Sequence, residues 1–167
     1  MNIKELVQGL EKKYKTRDVD ELVRALSISL YHRTDFENLL GMYAVIEGRS
    51  CIFLNANMEE PERRIVLAHE LGHALLHKPA HGLFDLASFT LFSTSSRTEY
   101  EANLFACHLL LEEKEIEQLA RDGYDIVSIA QILNVDINLL LMKLHEMQKA
   151  GYEIPETDPG RADFLRR

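Results

Sequence analysis

Apolar residues recur at helical spacing from the start of the chain. Ile3, Leu6, Val7 and Leu10 are separated by charged and amide side chains, which predicts an amphipathic helix over about residues 2–14. Asp18 is a candidate N-cap for a second helix over 19–26. The spacing then changes from helical to alternating: S-I-S-L-Y at 27–31 reads as a short strand. Two apolar runs, 42–46 and 51–54, flank Glu47-Gly48-Arg49-Ser50, which is a hairpin signal. A loop, Asn55-Ala56-Asn57, follows.

Pro61 stands where a helix can begin, since the first turn tolerates a missing N–H. The helix it opens runs to about His77 and is stopped by Pro79. Ile65, Val66, Leu67, Leu71, Ala74, Leu75 and Leu76 make it apolar on most sides, as in a buried helix. Periodicity fails over residues 78–97, where Leu83, Phe84, Leu86, Phe89, Leu91 and Phe92 mix with Ser and Thr. An irregular stretch of that length is expected to act as a functional loop or lid. Helical patterns resume over 98–111, 113–121, 125–133 and 136–150, with Gly123, Gly151 and Pro155 as stops. The polar end, 156–167, is expected to fray.

Composition narrows the function classes. A chain of 167 residues with 46% hydrophobic content can fill one core, with room for a small appendage. The formal charge of −8 disfavours non-specific nucleic-acid binding, which needs a basic surface. The N-terminal stretch is charged and amphipathic rather than a signal peptide, and no apolar run approaches the roughly 20 residues of a membrane span. Cys51 and Cys107 are isolated, with no zinc-ribbon or redox spacing, so they are expected to be buried thiols in a reducing cytoplasm.

The sharpest chemical signal lies in the helix after Pro61, V-L-A-H-E-L-G-H-A-L-L-H over 66–77. His69 and His73 are four apart, so they share a helix face with Cβ atoms about 5–6 Å apart. Two imidazole nitrogens at that separation reach one tetrahedral zinc, whose Zn–N bonds are about 2.0–2.1 Å. Glu70 leans out beside the pair, where it can take a proton from a metal-coordinated water without itself being a ligand. Two histidines in so apolar a helix need partners, and a metal supplies them.

With H-E-L-G-H at 69–73 goes a second motif, E-Y-E-A-N-L-F-A at 99–106. Together with the hairpin, the I-F-L-N segment at 52–55 and the R-R-I-V-L-A run before His69, they resemble the ImmA/IrrE family of bacterial and phage metallo-endopeptidases. The match covers about residues 1–112. The family pattern usually continues L-L-M-P, where this chain has Leu109-Leu110-Leu111-Glu112, a departure outside the ligand positions. The resemblance implies a cytoplasmic zinc-dependent endopeptidase of a prophage or mobile element, whose partner is a helix-turn-helix transcriptional repressor that it cleaves. The expected fold is α+β: a small sheet with a hairpin packed on a helical, zincin-like core, with the metal between two helices. The expected domains are a metallopeptidase domain over 1–112, a helical C-terminal extension over 113–155 and a tail over 156–167.

The third zinc ligand is expected from Glu99 or Glu101. They project about 200° apart around a helix, so only one can face the metal. The Glu99 stripe carries Ala102, Asn103, Ala106 and Leu110, and the Glu101 stripe Leu104, Phe105, His108 and Glu112. A Glu reaches a zinc on a neighbouring helix only at close spacing, about 8 Å, which small side chains allow. Ala68 and Gly72 offer the matching small residues on the first helix. Glu99 is therefore the expected ligand, as the family pattern also implies, and Glu101 a surface residue or one that supports a ligand.

Other groups carry weaker expectations. His77 lies too far along the helix to share the ion with His69 and His73, and reads as a C-terminal cap or a partner of a ligand. His81 is a loop residue. Tyr43, Arg97, Tyr100 and His108 are candidates for contacting substrate or the oxyanion, with His108 also a plausible hydrogen-bonded core residue. Residues 125–144 weakly resemble a helix-turn-helix, but Lys143 and Lys149 beside Asp125, Asp136 and Glu146 do not make a DNA-reading face, so direct DNA binding is not expected. A different class of function is a metal-containing module that binds and sequesters a regulator without cutting it. Glu70 argues against it, because a structural zinc needs no adjacent base.

Overall fold

The computed structural model describes residues 2–77 and 96–152. Helix α1 spans Ile3–Tyr14, and the side chain of Asn2 accepts from the Lys4 N–H at 3.0 Å to start it. Helix α2 spans Val19–Ala25, and Asp18 caps it as expected, accepting from the Glu21 N–H at 2.8 Å. The first strand, β1, spans Ser29–Arg33, two residues later than the alternation predicts. Ser27 is consumed in closing α2: it adopts a left-handed φ of 57°, and the Ile28 N–H returns to the Val23 carbonyl at 3.1 Å.

Strands β2 (Gly41–Ile46) and β3 (Arg49–Asn55) form the expected hairpin. The turn is tighter than predicted: only Glu47 and Gly48 lie outside the ladder, both at positive φ (49° and 77°). That pair of angles marks a type I′ connection, whose twist matches the strands it joins. Arg49 and Ser50, expected in the turn, instead pair with Ile46 and Val45. The sheet order is β1-β3-β2, with β1 parallel and β2 antiparallel to the central β3. Among the described residues β2 is thus an edge strand.

Asn55 at the end of β3 is buried and holds the crossing from β1 to β2. Its Nδ2 donates to the carbonyls of Phe36 (3.0 Å) and Leu39 (3.1 Å), and its Oδ1 accepts from the Asn57 N–H (2.9 Å). The asparagine of the I-F-L-N segment therefore satisfies backbone groups in a loop that has no ladder of its own.

Helix α3 spans Glu62–Leu76, follows Pro61, and packs on β2, β3 and α2. Leu22, Ile52, Leu54, Leu67 and Leu71 are fully buried between these elements. At the first turn of α3, Arg63 forms an ion pair with Asp20 of α2, with Nη1–Oδ2 at 3.0 Å. Helix α4 spans Arg97–Leu110 and is buried along most of its second half. Arg17 caps its end, donating to the carbonyls of His108 (2.6 Å) and Leu109 (2.9 Å). These are orphan helix-terminal acceptors that would otherwise lack partners.

The chain divides into two compact units, Met1–Leu109 and Leu110–Arg167. The second contains α5 (Glu113–Arg121), α6 (Ile126–Ile132) and α7 (Ile137–Lys149). Asp125 and Asp136 cap the last two, and the axis turns by 112° between them. Within this unit the buried Lys143 ammonium meets Glu113 at 3.3 Å. No single helix among the described residues is long and apolar enough to cross a membrane. The architecture is α+β, a small mixed sheet among helices. The expected lid over 78–97, apart from its last two residues, lies outside the described residues, as does the expected tail over 156–167.

Candidate metal centre

The i, i+4 spacing brings His69 and His73 edge to face, with ring centroids 4.6 Å apart and the two Nε2 atoms 2.9 Å apart. Glu99 on α4 reaches both: its carboxylate oxygens lie 3.3 Å from His69 Nε2 and 3.3 Å from His73 Nε2. One donor atom from each residue falls within 4.8 Å of the other two. Bonds of about 2.0–2.1 Å to a tetrahedral ion would set ligand atoms roughly 3.4 Å apart, so the three donors are spaced to hold one.

The tautomers fit the same purpose. His69 Nδ1 lies 2.8 Å from Asn103 Oδ1, and since a carbonyl oxygen only accepts, Nδ1 carries the proton. That leaves the Nε2 lone pair of His69 facing His73 and Glu99. Burial disfavours imidazolium at His69, which holds its pKa below the ordinary histidine value. Two imidazoles and one carboxylate, with lone pairs converging, form a donor set that suits zinc.

Close packing of α3 on α4 makes the meeting possible. A Cβ built on Gly72 would lie 3.1 Å from the Cα and the carbonyl oxygen of Ala102, and 3.2 Å from the Cβ of Phe105. The small residues at 72 and 102 thus lie at the contact, as the spacing argument expects. Phe105, a bulky residue of the Glu101 stripe, also borders the contact: it is fully buried with its Cβ beside Gly72.

Glu70 sits next to the donor set and faces the edge strand. It is 4% exposed, and a Cβ on Gly41 would stand 3.0 Å from both its Cγ and its Oε1. Burial pushes its carboxyl up to about 7, partly offset by His73 and by the Tyr43 N–H that donates to it, while Glu99 adds to the rise. A carboxyl that titrates near neutrality is matched to taking and returning a proton.

Other expected site residues are distributed differently. Tyr43 offers its backbone to Glu70, while its hydroxyl pairs with Ser50 at 3.1 Å. Tyr100 adjoins Glu99 and is half-buried. Arg97 is exposed and holds Glu101, with Nε–Oε1 at 2.7 Å. His108 is buried and nine residues beyond Glu99, about 14 Å along the helix at 1.5 Å per residue, so it lies away from the donor set. His77 is the C-cap residue of α3, and its ring contacts His73 and Glu101. His81 lies outside the described residues. Sequence reasoning gave no role to Asn103 or Gly41. The available signal for Asn103 was its place one turn beyond Glu99, on the same stripe; nothing local marks Gly41.

Comparison with known proteins agrees with this geometry. The chain is 36% identical over 141 residues to "Uncharacterized immunity region protein 2" of Bacillus phage phi105, covering 84% of this chain and 88% of that protein. It is 27% identical over 139 residues to Metallopeptidase ImmA of Bacillus subtilis (strain 168), covering 80% and 78%. Residues 22–145 match the family described as IrrE N-terminal-like domain, Peptidase_M78, a span that takes in the donor set and Glu70. The chain belongs to this peptidase family.

Proposed function

We propose that the protein is a zinc-dependent endopeptidase that cleaves a regulatory protein, a helix-turn-helix repressor of a phage or mobile element, in the cytoplasm. The observation that carries the proposal is the buried Glu70 carboxyl beside the donor set of His69, His73 and Glu99. A site meant only to hold structural zinc gains nothing from an adjacent base. The relatives named for an immunity region and for a metallopeptidase support a regulatory protein as substrate.

In this reading His69, His73 and Glu99 would hold the ion. Such an ion would supply Lewis acidity, polarising a carbonyl and making a water more acidic. Glu70 accepts the water's proton and delivers it to the leaving amine. The Tyr43 N–H orients the Glu70 carboxylate, and the apolar packing of α3 keeps bulk water from it. The second unit suits a protein partner better than DNA. Its exposed α7 residues include Ile137, Asn138, Leu141, His145, Gln148 and Lys149, a face with one fixed positive charge.

The test pairs the purified protein with any helix-turn-helix repressor that a neighbouring gene encodes. Wild-type protein should carry about one zinc per chain and cut the repressor. Glu70→Gln should retain zinc and cut at least about 10²-fold more slowly, the lower range for a lost general base. Glu99→Ala should lose both zinc and cleavage. A wild-type protein that binds the repressor tightly and never cuts it would identify a sequestering module instead.

A further inference from the structure

We propose that His77 and Glu101 are positioning residues for His73, joined to it by a hydrogen-bonded chain that fixes which nitrogen of His73 faces the ion. The inference rests on the metal site proposed above. His73 Nδ1 lies 3.1 Å from His77 Nδ1, and His77 Nε2 lies 3.1 Å from Glu101 Oε2. Glu101 Oε1 in turn accepts from Arg97 Nε at 2.7 Å.

The protons along this chain have one self-consistent order. A ligand nitrogen needs a free lone pair, so Nε2 of His73 is bare and Nδ1 carries the hydrogen. His73 Nδ1–H then donates to His77 Nδ1. A neutral His77 with an accepting Nδ1 must carry its hydrogen on Nε2. That hydrogen points to Glu101, an acceptor whose other oxygen is held by Arg97. Every link has one donor and one acceptor.

His69 and His73 are thus oriented by different means. Asn103 holds His69 with a single neutral carbonyl. His73 is held through an imidazole by a carboxylate, an arrangement that raises the basicity of a ligand and locks its ring. Position 77 allows this because α3 ends there. The His77 N–H bonds the His73 carbonyl at 3.0 Å while its backbone turns to φ −122° and ψ 122°, and the ring packs 5.1 Å from that of His73. The backbone capping bond survives any side chain, so substitutions at 77 isolate the ring's contribution.

The test measures zinc affinity by competition with a chromophoric chelator, and the ring tautomers by ¹⁵N NMR of the zinc-loaded full chain. His77→Phe should weaken zinc binding by about 10–100-fold, the usual effect of removing a partner of a ligand. His77→Gln, whose amide oxygen can accept from His73 Nδ1–H, should restore affinity to within about threefold of wild type on the same scale. Wild-type spectra should show the proton on Nδ1 of His73 and on Nε2 of His77. Equal affinity in His77→Phe and wild type would overturn the proposal, and so would a His77→Gln variant as weak as His77→Phe, which would point to ring packing alone. If His77→Phe fails to fold, Glu101→Ala carries the test. A loss of several-fold in affinity with a mixed His77 tautomer supports the chain, and unchanged values for both overturn it. A wild-type protein that takes up no zinc overturns the metal site itself, a result distinct from all of these.

Discussion

Glu70 is placed where a carboxylate is least comfortable. Its ordinary value near 4.5 rises to about 7 because burial removes the water that would solvate its charge. An acid raised on folding destabilises the folded state once it must ionise. The penalty is absent below the unfolded value and complete above the folded one. The Glu70 contribution to the stability of the metal-free protein should therefore rise as the pH falls from about 7 toward 4.5, by on the order of 3 kcal/mol, while His69, whose pKa burial lowers, opposes it over the same range, so a Glu70 variant is needed to isolate it. Thermal unfolding of metal-free Glu70→Gln at pH 8 should show a higher midpoint than wild type, and the difference should vanish near pH 4.5. Equal midpoints at both values would mean that the carboxylate is solvated after all. At this scale the sequence was legible where chemistry is local. His69, Glu70 and His73 lie within five residues, so helix periodicity alone places them. Asn103 and Gly41 were not legible, because their meaning depends on which side chain of α3 they face, more than 25 positions away.

At the scale of elements, two glycines hold α3 between its neighbours, and they make different predictions. A Cβ at Gly41 would meet Val66 Cγ1 at 2.6 Å and Glu70 Cγ and Oε1 at 3.0 Å. Gly41→Ala should displace the base from the edge strand while leaving the ligands in place. Cleavage should fall about 10-fold or more with zinc content unchanged, so that zinc loss in step with activity would refute this separation. Gly72→Ala acts on the other side of the helix. Alanine favours the helix by about 1 kcal/mol, but its Cβ would press on the Ala102 backbone at 3.1 Å. The two effects oppose each other in stability and not in function. Melting of the metal-free protein should change little while zinc affinity drops, since α4 must move and carries Glu99 with it. Unchanged affinity would show that α4 can yield without losing its ligand. The hairpin and helices were readable from period and caps, apart from shifts of one or two residues at their ends. The parallel pairing of β1 with β3 was not. It depends on the crossing held by Asn55, and no alternation within a strand reports its partner's direction.

For the whole molecule, the two families of ligand lie on opposite sides of a long stretch of chain. His73 and Glu99 are 26 positions apart, and among the described residues several contacts bring them together. Gly72 rests on Ala102, Asn103 holds His69, and Arg17 grips the far end of α4. In polymer terms an ion at this site is a staple that closes a loop, and the cost of closing a loop grows only logarithmically with its length. Doubling a flexible loop adds about 0.6 kcal/mol. A run of about twenty glycine and serine residues inserted between 77 and 96 should therefore reduce zinc affinity by no more than roughly threefold, read by the same chelator competition. Cleavage of the repressor need not survive, so the insertion would separate what assembles the ion's cage from what the intervening chain does for the substrate. An affinity that survives the insertion would show that the cage is two halves which find each other through their own surfaces, with the connecting length free to vary for other purposes.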